Sequence, residues 1–269
     1  MHDRPIGVFD SGFGGLSVAR ALIDLLPEEH IVYVGDTGRY PYGPRPASQV
    51  RAFSVQIARY LAVDEDVKMI VVACNTAASA ALADLQDAMS VPVVGVIEPG
   101  LRAAVEVTRR RRVGVIGTVG TIASGAYQRA AAEMRAGIEL VCAACPGFVE
   151  FVERGETSGD QVHVLAERML LPVKAADVDT LLLGCTHYPF LARTIGDVMG
   201  RDVVLVSSAD ETAFEVRSIL SATGLGRRTP GKGEHRFGSS GDVDWFRDMG
   251  RRLLGPELDA VQGVCFDNR

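Results

Sequence analysis

One short pattern occurs twice in this chain. Ile70-Val71-Val72-Ala73 is an apolar, β-branched run that stops at Cys74, and Asn75-Thr76 then open a helical stretch from Ala77 to Met89. Thr180-Leu181-Leu182-Leu183-Gly184 likewise ends in Cys185, followed by Thr186-His187-Tyr188-Pro189. Such runs read as strands buried on both faces of a parallel sheet. Each thiol then sits between the carboxyl end of a strand and the amino end of a helix. Open α/β sheets bind ligands at that edge, and the free N–H groups and helix dipole there favour a thiolate. Cys185 follows Cys74 by 111 residues. A second echo, Ile6-Gly7-Val8-Phe9-Asp10-Ser11-Gly12 against Val113-Gly114-Val115-Ile116-Gly117-Thr118-Val119, has an offset of 107. Two offsets this close predict a duplicated α/β unit with one thiol per half, so that facing halves place the thiols on opposite sides of one bound molecule.

Other segments fill in around this frame. Ile6 to Phe9 reads as a strand, and Asp10-Ser11-Gly12-Phe13-Gly14-Gly15 as the turn into a helix ending near Leu26. The glycines permit close backbone approach and the helix start offers N–H groups to an anion. Their spacing does not fit the dinucleotide fingerprint, and no Gly-Lys-Ser/Thr follows. Asp10, at a strand end, can receive an ammonium or orient a thiol. A strand over Ile31–Gly35 leads to a proline-stiffened loop carrying Tyr40-Pro41-Tyr42-Gly43-Pro44. Then come a helix over Ala47–Val63, a strand over Val93–Ile97 and a domain crossing at Glu98-Pro99-Gly100. The run Arg109–Arg112 reads as solvated surface.

Thr118 and Thr121 stand where the second half repeats the Asp10-Ser11 turn, and their hydroxyls suit a carboxylate. Cys142-Ala143-Ala144-Cys145 lacks the second pair a metal site needs and runs straight into Pro146, so it reads as a buried structural pair. A short helix from Phe148 to Arg154 carries Glu150 and Glu153. Further on, the pattern predicts a helix over Gln161–Leu171, a strand over Val203–Val206, an edge strand over Glu234–Gly238 and a helix over Val243–Leu254. Five cysteines without a secretory stretch point to free thiols in a soluble, cytoplasmic protein. A net charge of −6 argues against general nucleic-acid binding, and no run has the length of a membrane span.

Asp10-Ser11-Gly12, Tyr42-Gly43, Cys74-Asn75-Thr76 and Cys185-Thr186-His187, in this order and spacing, make the chain resemble glutamate racemases of the cofactor-independent aspartate/glutamate racemase family. The matching motifs run from Ile6 to about Ser208. The resemblance implies two pseudo-symmetric, doubly wound α/β domains with mostly parallel sheets and an active site in the cleft between them. Residues 1–97 plus 207–269 would form the first domain and 98–206 the second. It implies racemisation of L-glutamate to D-glutamate for peptidoglycan, with no cofactor and no metal, in a homodimer. Some family members also bind DNA gyrase. Cys74 and Cys185 are then the acid–base pair, Cys74 acting on D-glutamate and Cys185 on L-glutamate. Tyr42 and Gly43 contact the substrate, and Thr118 and Thr121 hold its carboxylate. A carboxylate after Cys145-Pro146-Gly147-Phe148-Val149 tunes the second thiol's side; register favours Glu153, with Glu150 beside it.

The chemistry agrees with two thiols. Racemisation removes a weakly acidic Cα proton and returns one to the other face, so two monoprotic groups on opposite sides suffice. His187, two residues after Cys185, can move a proton or lower a thiol pKa from about 8.5. Hydrogen bonds from Ser11, Asn75, Thr76 and Thr186 would stabilise enediolate character in the substrate. A pyridoxal-phosphate racemase would need a Schiff-base lysine, and Lys68, Lys174 and Lys232 lie outside the motifs. Arylmalonate decarboxylases keep a single cysteine. Aspartate racemisation, and a non-catalytic amino-acid-binding or protein-interaction module, stand as the alternatives.

Overall fold

In the computed structural model, which describes residues 2–266, the apolar runs form two sheets. Met1 and residues 267–269, the outer ends of the first expected domain, lie outside the described residues. The chain begins with β1 (Ile6–Asp10), α1 (Leu16–Leu25), β2 (Ile31–Gly35), α2 (Ala47–Val63), β3 (Met69–Val72), α3 (Asn75–Ala88) and β4 (Val93–Gly95). It crosses on α4 (Ile97–Val107) to β5 (Arg112–Gly117), α5 (Val119–Ala123), α6 (Ala126–Glu133), β6 (Glu139–Ala144) and α7 (Phe148–Glu153). Next come α8 (Asp160–Ala175), β7 (Thr180–Gly184), α9 (Ala192–Met199) and β8 (Val204–Ser207). It returns on α10 (Ala209–Thr223) to β9 (His235–Ser239), α11 (Val243–Leu254) and β10 (Val261–Gly263).

The first sheet has the order β10-β9-β2-β1-β3-β4 and the second β6-β5-β7-β8. All the strand pairs are parallel. β2-β1-β3-β4 and β6-β5-β7-β8 are the same topology twice, with β1 matching β5 and β3 matching β7. Those are the strands that carry the two sequence echoes, so the duplication is real in the fold. Ile6, Val8, Ile70, Val71, Leu181 and Leu182 are wholly buried, and each such side chain contributes roughly 1.5–3 kcal/mol. Helices on both faces demand this, which is why these strands read as continuous apolar runs rather than alternating ones.

In each sheet the winding reverses beside the first strand. The crevice this opens lies past the carboxyl ends of β1 and β3, and past β5 and β7. The two connections between the sheets, α4 and α10, pack on each other. Gly100 in α4 approaches Ser208 so closely that a Cβ there would stand 2.7 Å from the serine Cβ.

Three local expectations are corrected. The strand expected over Val93–Ile97 ends at Gly95, and the crossing expected at Glu98-Pro99-Gly100 is made within the first turn of α4. Proline is tolerated there because a first-turn N–H has no intrahelical partner. The helix expected to stop at Leu171 runs through Pro172 to Ala175, held by the buried stripe Val162, Ala166, Leu170 and Val173. The strand at His235–Ser239 is internal, because β10 pairs along its outer side. Among the described residues no helix is long and apolar enough to cross a membrane.

Candidate active site

Cys74 and Cys185 occupy the same place in the two halves. Cys74 follows β3 and caps α3, its Sγ accepting from the Ala77 N–H at 3.4 Å and lying 3.6 Å from Ser11 Oγ. Burial pushes the Cys74 thiol up to about 11, Asp10 adds to this, and the Ala77 N–H and Ser11 oppose it. Cys185 follows β7, with His187 Nδ1 4.0 Å from its Sγ. Burial also pushes this thiol well up; the His187 N–H opposes it, and negative charge on Cys74 or Asp10 reinforces it. The thiols are thus close enough to sense each other. Both shifts favour the protonated thiol in the ligand-free site, and a neighbouring base that takes up the proton opposes them.

A base stands near each. Asp10, at the end of β1, is completely buried. Its Oδ1 accepts from the Gly12 N–H at 2.9 Å, and its Oδ2 accepts from Thr186 Oγ1 at 3.2 Å, which links the end of β1 to the turn after β7. Burial raises the Asp10 pKa, and the charge of His187 pulls it the other way. His187 is buried with its ring edge on Phe13, centroids 4.9 Å apart. Its Nε2 lies 3.5 Å from Glu153 Oε1. Glu150, three residues earlier on α7, instead faces the cavity. The pair Gly14-Gly15 makes this packing possible: a Cβ on Gly14 would lie 2.5 Å from His187 Nδ1, and one on Gly15 would lie 2.5 Å from Asp10 Cβ.

Hydroxyls join the two halves around the thiols. Thr76 Oγ1, from α3, lies 2.9 Å from Thr118 Oγ1 and 3.2 Å from Thr121 Oγ1, and those two are 3.0 Å apart. Thr118 caps α5 by accepting from the Thr121 N–H. The Gly43 carbonyl accepts from the Gly120 N–H at 3.0 Å, and a Cβ on Gly43 would press within 3.0 Å of Thr118 Cβ. Tyr42 donates its hydroxyl to Asp36, which also accepts from Arg39 Nε and from Ser240 Oγ at 2.6 Å. That hydroxyl is therefore engaged by the protein, and Tyr42 meets the cavity through the rest of its residue. Asn75 Nδ2 donates to Tyr127 OH at 2.9 Å. Asn75 Oδ1 is buried with no hydrogen-bond partner among the described residues.

The cavity between the halves holds about 90 Å³, a size suited to something as small as an amino acid. Ser11, Cys74, Asn75 and Thr76 line it from the first sheet's side, and Thr118, Cys185, Thr186 and His187 from the second's. Tyr42 and Gly43 close one wall, while Asp10, Thr121 and Glu153 stand behind that lining. The Asp/Glu/hydantoin racemase family matches residues 6–215, a span holding both thiols. The chain belongs to that family. A glutamate racemase of Parafrankia sp. is 53% identical over 262 residues, covering 97% of this chain and 94% of the relative. The crystal structure of a glutamate racemase from Bacillus anthracis superposes with a TM-score of 0.93 at 43% identity, over 100% of this chain and 99% of that one. Another from Francisella tularensis, in complex with D-glutamate, gives 0.92 at 34% identity with both chains covered completely.

Sequence reasoning missed several parts of this racemase's site. Tyr127 carries no motif and comes from α6, yet it is the partner of Asn75. Tyr40, in the loop after β2, lines the cavity as Tyr42 does but belongs to none of the matching motifs. Cys142 and Cys145 are free thiols but not an equivalent buried pair, since only Cys145 is fully buried and reaches the cavity wall.

The raised thiol sets a pH dependence. Below its ordinary value of 9.0, Cys74 holds its proton whether the chain is folded or not; from there to about 11 only the folded chain keeps it. Stability therefore falls as pH rises through that window, by roughly 1 kcal/mol per pH unit for one thiol. The melting temperature of Cys74→Ala is expected to fall less steeply between pH 9 and 11 than that of the parent. Equal slopes would mean that the Cys74 thiol titrates as it does in water.

Proposed function

We propose that this racemase interconverts L- and D-glutamate by a two-base mechanism in which Cys74 and Cys185 work on opposite faces of Cα. The observation that carries this is the pair of thiols at matching points of a duplicated fold, both lining one small cavity, each with a base beside it. Asp10 serves the Cys74 side, and His187 with Glu153 serves the Cys185 side. The thiolate on one face takes the Cα proton, the thiol on the other then donates its own to the carbanion, and the two have exchanged protonation states when product leaves. By family analogy Cys74 acts on D-glutamate and Cys185 on L-glutamate.

A carbanion beside a carboxylate needs its charge spread onto the carboxylate oxygens. Ser11, Thr76 and the second Nδ2 hydrogen of Asn75 offer donors for this, whereas the Thr186 hydroxyl, expected among them, donates to Asp10 in the ligand-free site; the unpartnered Asn75 Oδ1 is free to accept from a substrate ammonium. Thr118 and Thr121 would anchor a carboxylate where α5 begins, with Tyr42 and Gly43 on the adjoining wall. Glutamate rather than aspartate is the substrate favoured by the relatives, and D-glutamate would feed peptidoglycan synthesis.

The decisive assay gives purified protein L-glutamate and, separately, L-aspartate in D2O with reductant, following optical rotation and the Cα–H NMR signal. Both signals are expected to decay together with glutamate alone. Decay with aspartate instead would change the substrate and keep the chemistry. A folded protein inert to both would sink the reading.

A further inference from the structure

Tyr40 has no role in the mechanism above, yet its placement is specific. The ring lies in the cavity wall, and one edge packs on Gly12, where a Cβ would meet Tyr40 Cδ2 at 3.3 Å. On the other side its centroid is 6.2 Å from that of the His187 imidazole. The hydroxyl is buried and, among the described residues, has no hydrogen-bond partner. The acidic groups facing it are Glu153, Cys185 and Glu150.

Two further atoms share this condition at the same spot. Glu153 Oε1 and His187 Nε2 are 3.5 Å apart and buried, and neither makes an aligned hydrogen bond among the described residues. Buried polar atoms are paired in the large majority of cases. Three unpaired ones, brought together from the loop after β2, from α7 and from the turn after β7, mark a junction rather than an accident of packing. Catalytic hydrogen bonds are often long in ligand-free sites and tighten in the substrate complex. Tyr42, the other phenol of the loop, is already engaged by Asp36, which leaves Tyr40 as the donor available to Glu153.

We propose that Tyr40 is a positioning residue for the Cys185 half of the reaction: its phenol donates to Glu153, which fixes the His187 imidazole beside the Cys185 thiol. The proposal rests on Cys185 being one of the two bases. Burial and the neighbouring Glu153 hold the Tyr40 phenol above its ordinary pKa, so it remains a donor across the working pH range. The charged and titratable groups around the imidazole are Glu153, Cys185 and, through Thr186, Asp10. Of these, Glu153 is the one that faces both the imidazole and the phenol.

Tyr40→Phe removes the hydroxyl and keeps the ring on Gly12. Because mirror-image amino acids have equal free energies in water, kcat/KM must fall equally in both directions. The expected fall is about tenfold, the scale of one hydrogen bond to a charged group, with KM changed less than twofold. The asymmetry appears in isotope effects. With α-deuterated L-glutamate the effect on kcat/KM rises, since abstraction by Cys185 becomes more rate-limiting. With α-deuterated D-glutamate it shrinks, because reprotonation by Cys185 now limits. Glu153→Gln should give the same asymmetry, and Tyr40→Phe added to Glu153→Gln should cost little more than Glu153→Gln alone.

Parent-like isotope effects in Tyr40→Phe, a rise in KM alone, the opposite asymmetry, or full additivity with Glu153→Gln would each overturn the proposal. Cys185→Ala measured in parallel separates the layers. Continued racemisation by Cys185→Ala would remove the two-thiol mechanism itself. An inactive Cys185→Ala beside a parent-like Tyr40→Phe would remove only the role of Tyr40.

Discussion

Cys74→Ala and Cys185→Ala are each expected to slow racemisation by roughly 10³-fold or more with either enantiomer, read by polarimetry. The loss is equal in both directions because, in the proposed mechanism, every turnover uses both thiols, one as base and one as acid. Each variant should nevertheless keep half of the reaction. Cys74→Ala retains Cys185, so in D2O it is expected to exchange the Cα proton of L-glutamate without forming the D-enantiomer. Cys185→Ala is expected to do the converse with D-glutamate. Cys74 also caps α3, so its removal should lower stability by about 1 kcal/mol, too little to unfold the protein. Near-parent racemisation by either variant would take that thiol out of the chemistry.

Gly14→Ala is expected to lower kcat about 10²-fold although it touches neither thiol. The added Cβ would lie 2.5 Å from His187 Nδ1 and 2.6 Å from Thr186 Oγ1. Either the imidazole moves away from Cys185 or the Thr186 hydroxyl leaves Asp10, and a displacement near 1 Å at a reacting group costs on the order of 10²-fold. Overpacking of this kind also destabilises by about 1–3 kcal/mol, visible as a fall of several degrees in Tm. Gly226→Ala is the control: its Cβ would meet nothing nearer than Glu29 Oε1 at 4.0 Å, so activity and Tm should stay close to parent. Parent-like activity in Gly14→Ala would mean that the reaction does not depend on where His187 and Thr186 now sit.

The repeated strand–thiol–helix pattern was legible because burial on both faces leaves a continuous apolar run, and because Cys74 and Cys185 end their runs at the edge where such sheets bind ligands. Other parts were hidden for physical reasons. Glu98-Pro99-Gly100 has the residue types of a turn, yet a proline in the first turn of α4 loses no hydrogen bond. Val261-Gln262-Gly263 is too short and too mixed to announce a strand, so the sequence alone leaves β9 at an edge. Glu150 and Glu153 are one helical turn apart on α7. Only the packing of α7 decides that Glu153 meets His187 while Glu150 faces the cavity. The partnership of Asn75 with Tyr127 spans 52 residues and joins two helices from different halves, which no local pattern encodes.

The strand orders also imply a sequence of events during synthesis. The second sheet is built from one uninterrupted stretch, β5 to β8, and can close as soon as that stretch has emerged. The first sheet cannot. Its β2 has an open edge until β9 arrives some 200 residues later, and β9 in turn waits for β10. Every side chain assigned to the chemistry lies between Asp10 and His187, so a nascent chain holds its full complement of reactive groups while an apolar strand still has unpaired N–H and C=O groups. Such an edge is a template for pairing with other chains. Residues 235–263 therefore act as a cover for β2, the strand that leads into the loop carrying Tyr40 and Tyr42, and the hazard they suppress while the chain is being made is aggregation.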